Sequence, residues 1–225
     1  MSKIVFVFPG QGSQSPGMGK DLFENSEFAK ETYKKADEIM ETKISEISFN
    51  GPGDLLKQTN LTQPALFIHS YILFNLLKDK LSADFTAGHS LGEYTALCYS
   101  GAFNFENGLK LVKARGKLMK DAGDIQKGTM AALIGLDEEK VFEICEIAKE
   151  NQIVQPANFN CPGQIVISGD EDAVLRAIKI AKEAPFNCRL AKQLEVSGAF
   201  HSELMRTLAD RSEERRVGKE CRSRW

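Results

Sequence analysis

Residues 86–97 read TAGHSLGEYTAL, and no other stretch limits the possible folds so tightly. A strand-forming run, ADFTAG, ends at a serine set between Gly88 and Gly92, and a helix-forming run, EYTALCYSGA, follows at once. In such a G-x-S-x-G elbow the glycines let the backbone turn sharply from strand to helix, so the Ser90 hydroxyl stands above the sheet at a helix N-terminus. The N–H of the next residue, Leu91, would then be one donor to an oxyanion. A plain glycine-rich turn with an idle serine is the competing reading, and the strand before and helix after speak against it.

The rest of the chain fits an α/β protein. KIVFVF is a β-branched and aromatic run that passes into a loop with four glycines and two prolines, FPGQGSQSPGMG. Helical spacing runs over residues 21–41, and TQPALFIHSYILFNLLKD, residues 62–79, reads as a helix apolar enough to lie inside the core. Strands alternating with helices favour a parallel sheet covered on both faces. Between residues 128 and 197 the order becomes strand, helix opened by Asp137, two strands joined by CPG, helix, strand. That βαββαβ pattern predicts a ferredoxin-like subdomain over 128–197, inserted into a catalytic core of residues 1–127 and 198–208. From 209 to 225 the sequence has dense charge of both signs and no apolar period, which reads as a non-native or disordered tail.

Composition excludes more than it selects. The 225 residues are 42% hydrophobic and 27% charged with a formal net charge of -2, an ordinary balance that gives no reason to expect nucleic acid as a partner. Five scattered cysteines form no CxxC pair and no metal-ligand spacing with histidine, so no metal site and no disulfide framework is expected. The apolar start, IVFVF, is too short for a membrane span or a signal sequence, and a cytoplasmic, membrane-free protein is expected.

A serine nucleophile needs an oxyanion site, a base and a substrate. FPGQGSQ lacks the ending of a P-loop and does not match GxGxxG, so beside Ser90 it reads best as the second oxyanion loop, with Gln11 at its centre. In NGLKLVKARGKLMKD a helical projection puts Leu111, Val112, Ala114, Leu118 and Met119 on one face with Arg115 among them. A guanidinium directed into a core must meet an anion, either an internal Asp or Glu or the carboxylate of a substrate. Among three histidines, His69 lies in an apolar helix and His89 is turned away by the tight elbow, which leaves His201 in SGAFHSELM as the base. Asp121, Asp124, Asp137 and Asp170 each read more simply as loop or cap residues than as a third catalytic member.

Together, FPGQGSQ, TQPAL, GHSLGEY, the helical ARG, NFNCPGQIVISG and GAFHSELM resemble the malonyl-CoA:acyl carrier protein transacylases, in the family's order and over residues 3 to about 208. The resemblance implies a hydrolase-like parallel-sheet core with an inserted ferredoxin-like subdomain. It further implies that Ser90 takes malonyl from malonyl-CoA, that His201 is the base, and that Leu91 and Gln11 hold the oxyanion. Arg115 would bind the malonyl carboxylate, Gln63 would line the same region, and a bulky Phe200 would crowd an α-methyl branch. Acyl carrier protein is the implied partner, in fatty acid or polyketide synthesis. Coenzyme A enters only as substrate, no cofactor is expected, and a monomer is expected. Family members continue past the histidine, so a truncated chain with exposed apolar sheet surface is expected here. Two alternatives stay open: a serine esterase on the same elbow, and an inactive carrier-binding fragment using Lys113, Lys117, Lys182 or Lys192 as a basic rim.

Overall fold

The computed structural model describes residues 3–196 and 198–206. The tail expected over 209–225 lies outside the described residues, as do the last residues of the expected 198–208 core segment. The chain divides into two compact units, residues up to 117 and residues from 118 onward.

The first unit begins with β1 (Val5–Phe8), followed by α1 (Lys20–Asn25), α2 (Glu27–Met40), α3 (Ile44–Asn50), α4 (Gly53–Leu56) and α5 (Thr59–Leu77). Then come β2 (Phe85–Gly88), α6 (Gly92–Tyr99) and α7 (Phe105–Ile125), and the boundary between units falls within α7. The helical spacing over 21–41 is carried by two helices. Ser26 stands between them in an extended conformation, and its hydroxyl accepts the Ala29 N–H to cap the second. α5 is the core helix: Leu61 through Ile68, Ile72 and Phe74 are all buried in it.

β1 and β2 pair in parallel, Val5 with Phe85 through Phe8 with Gly88. Alternation along β1 turns Phe6 and Phe8 inward, where both rings meet Tyr99 and Phe8 also meets Phe74. The other face is bare. Val5, Val7 and Phe85 are 51%, 71% and 60% exposed, so the apolar sheet surface expected from the sequence is present. Flat, apolar strands open to water are templates for pairing between chains. Val7→Lys is therefore expected to raise the monomeric fraction at high protein concentration without lowering the unfolding midpoint. Light scattering across a dilution series checks this, and unchanged scattering would exclude this face as the contact.

The second unit contains β3 (Gly128–Ile134), α8 (Glu138–Lys149), β4 (Val154–Cys161), β5 (Gln164–Asp170), α9 (Glu171–Lys182) and β6 (Leu190–Gln193). Its antiparallel sheet has the order β4-β5-β3-β6, the ferredoxin-like arrangement expected of this element sequence. Asp137 caps α8 by accepting the Lys140 N–H at 3.0 Å, as its position predicts, and this hydrogen bond holds its carboxyl below the usual carboxylate range. Asp170 also serves backbone, accepting the Ile153 N–H at 2.7 Å. Leu133, Ile165 and Ile167 pack beneath Val141, Ile144, Val174 and Ala177 of the two helices, while Met130 and Val166 turn the other way to meet Phe200. The last strand is shorter than FNCRLAKQLEVS suggests: only Leu190–Gln193 pairs regularly, with Leu194 adding one bond to Met130.

Candidate active site

The serine elbow forms because two glycines permit a very close approach. A Cβ on Gly88 would lie 1.9 Å from the Gly92 carbonyl carbon, and one on Gly92 would lie 2.1 Å from the Phe8 carbonyl oxygen. Strand, turn and first helical turn thus stack backbone on backbone, which no larger residue allows. Ser90 itself takes φ 53°, in the left-handed region where a side chain costs about 1 kcal/mol. The elbow is closed by the Gly92 N–H on the His89 carbonyl at 3.0 Å and the Glu93 N–H on the Ser90 carbonyl at 3.2 Å. Leu91 is buried and stands at the cap of α6.

Arg115 meets the serine. Its Nη2 donates to Ser90 Oγ at 3.0 Å, its Nη1 donates to Gln63 Oε1 at 2.6 Å, and its Cζ lies 5.6 Å from the centre of the Tyr94 ring. The helix delivers it there by burying Phe105, Gly108, Leu109, Val112 and Gly116, a stripe with steps of three and four that also carries position 115. Leu111, assigned to that face from the sequence, is instead 40% exposed. A projection of mixed apolar and lysine residues leaves two neighbouring strips possible, and packing against α5 selects one of them. Burial is the main influence on the guanidinium and pushes its pKa down, opposed by Tyr94 and Glu93. Among the described residues Arg115 makes no ion pair with a carboxylate, so the internal salt bridge left open by the sequence is not what holds it.

Gln11 lies in the loop after β1, and its Nε2 donates to Thr59 Oγ1 at 3.2 Å, tying the loop to the start of α5. His89 is at the same loop: a Cβ on Gly10 would come 2.9 Å from its Nδ1. His69 is a core histidine of α5, and burial pushes its pKa down. His201 belongs to the second unit. It occupies an exposed turn at φ 59°, just before the short 3-10 helix Glu203–Met205, and not a helix start as the sequence suggests. Ser202 braces that turn by donating to the Ala199 carbonyl at 2.6 Å, and Phe200 is buried against Met130 and Val166. The structure thus unites Ser90, Arg115 and Gln63 in one constellation. It adds Tyr94, which sequence reasoning missed; its place one helical turn after the serine was the available signal.

A serine elbow with a half-buried arginine at its hydroxyl fits the class of acyl-transfer proteins. The model of the family described as "Acyl transferase domain" matches residues 5–218, and the chain belongs to that family. It is 46% identical over 216 residues to the malonyl CoA-acyl carrier protein transacylase of Bacillus subtilis (strain 168), covering 95% of this chain and 68% of that protein. The transacylase of Staphylococcus aureus (strain MSSA476) is 42% identical over 211 residues. Among solved structures, the malonyl CoA-acyl carrier protein transacylase of Coxiella burnetii superposes with a TM-score of 0.90 at 40% identity, over 95% of this chain and 67% of that one. A malonyl-transacylase in complex with a type II PKS acyl-carrier protein superposes with a TM-score of 0.87 at 38% identity, over 94% and 68%. Among the described residues no helix is long and apolar enough to cross a membrane, and no cluster of three or more His, Cys, Asp or Glu side chains could hold a metal ion.

Proposed function

We propose that this protein moves malonyl from malonyl-CoA to the phosphopantetheine thiol of acyl carrier protein, in fatty acid or polyketide synthesis, through a malonyl ester on Ser90. Ser90 Oγ attacks the thioester carbonyl carbon, and His201 accepts the hydroxyl proton. The tetrahedral oxyanion is held by the N–H groups of Leu91 and Gln11. As it collapses, the carbon–sulfur bond breaks and coenzyme A leaves as a thiol with the proton from His201. In the second half-reaction His201 takes the proton of the carrier's thiol, the sulfur attacks the ester, and Ser90 Oγ leaves and recovers a proton. One thioester replaces another of similar energy, so the exchange needs no energy source and no bound cofactor. We place the reaction in the cytoplasm and on a monomer.

The observation that carries this reading is the half-buried Arg115, which donates to the Gln63 amide and to the nucleophile itself and is also favoured in its charged form by Tyr94. A planar cation so placed can grip the free carboxylate of a malonyl group while the thioester carbon rests at Ser90 Oγ. Incubation with malonyl-CoA is expected to yield one malonyl adduct by intact mass, mapped to the peptide holding Ser90 and discharged on adding holo acyl carrier protein. An unmodified chain, or an adduct elsewhere, would sink the proposal. Discharge to water at the same rate with and without carrier would make it a hydrolase.

A further inference from the structure

We infer that Gln63 and Tyr94 form an uncharged cradle that fixes the Arg115 guanidinium beside Ser90 while leaving its charge for an incoming carboxylate. The inference rests on the reading of Arg115 as the carboxylate binder and assigns the residues that make that reading work.

Gln63 is 1% exposed and offers a carbonyl oxygen 2.6 Å from Nη1. An amide can hold one edge of the guanidinium, yet it leaves the net charge at plus one. A carboxylate at the same point would form a stronger, charge-assisted bond and would repel a substrate carboxylate. Tyr94 works on the face of the cation. Its ring centre lies 5.6 Å from Arg115 Cζ, within the range where the π quadrupole attracts a cation without supplying a formal charge. Tyr94 is also in the first turn of α6, the helix that leaves the serine elbow. Ring and nucleophile therefore move as one piece, and the guanidinium is registered to both, with Nη2 3.0 Å from Ser90 Oγ. Neither side chain needs to touch the acyl group, so both are positioning residues.

The test uses the full chain and two readouts. Loading of Ser90 is followed by intact mass over a range of malonyl-CoA and acetyl-CoA concentrations, and unfolding midpoints are measured with malonate and with neutral malonamide. Gln63→Glu is expected to raise the KM for malonyl-CoA by about tenfold or more, to reduce acetyl loading far less, and to abolish stabilisation by malonate. Tyr94→Leu is expected to lower the malonyl preference by about tenfold, and Tyr94→Phe to restore it to within about threefold of the parent. Equal losses for both acyl groups in Gln63→Glu or Tyr94→Leu would overturn the cradle, as would malonate stabilising Gln63→Glu as well as it does the parent. A parent chain that malonate stabilises and malonamide does not, yet that malonyl-CoA never loads, would count against the transfer reaction and for the cradle. A parent stabilised by neither would count against the cradle itself.

Discussion

Replacing Arg115 with alanine is expected to lower malonyl loading of Ser90 by about 10²- to 10³-fold while raising acetyl loading. The two effects have one cause. On the proposed function, a half-buried cation held by amide and hydroxyl partners gains a bound carboxylate from malonyl and none from a neutral acyl chain. Removal of the guanidinium takes away the grip on malonyl and also the penalty on acetyl. It leaves Gln63 Oε1 without the Nη1 donor, which adds a stability loss of about 1–3 kcal/mol. Intact-mass time courses with the two thioesters, corrected for the folded fraction, separate selectivity from stability. Equal falls for malonyl and acetyl would mean that Arg115 only braces the elbow.

Gly92→Ala is expected to destabilise the chain by about 3 kcal/mol or more. The added carbon would meet the Phe8 carbonyl oxygen at 2.1 Å, its carbon at 2.7 Å and the Pro9 oxygen at 3.0 Å, all of them backbone. No rotamer change relieves such a contact; β1 must part from α6. Gly163→Ala provides the contrast, since nothing lies within 4 Å of its added carbon and only the positive φ of 77° opposes it, at about 1 kcal/mol. Urea denaturation of the two variants measures the difference, and similar midpoints would show that the elbow tolerates expansion.

The elbow and the ferredoxin-like unit were legible in the sequence because their signals are local. Glycines two residues on either side of Ser90 report backbone crowding, and Asp137 marks the start of α8 through a hydrogen bond only three residues long. Ser26 was equally local yet hidden, because the helices on both sides of it keep apolar residues at helical spacing and the break changes no period. The apolar strip of α7 was displaced because Leu111 and Leu109 are equally hydrophobic, and only contact with α5 decides that Leu109 is buried and Leu111 exposed. Arg115 was found as a cation in a core helix, but its partners lie 52 and 25 residues away in sequence. Identities at such separations are set by how helices pack, which no periodicity encodes. The family resemblance supplied Gln63 as a residue of the region; the hydrogen bond gives it a physical task.

A lineage selected for durability alone would be expected to drift from serine to glycine at position 90, because the dihedral recorded there belongs to the achiral residue. The proposed function requires the hydroxyl there, so heat resistance and turnover would compete at a single atom. Engineering a hardier version of this protein should therefore proceed away from position 90.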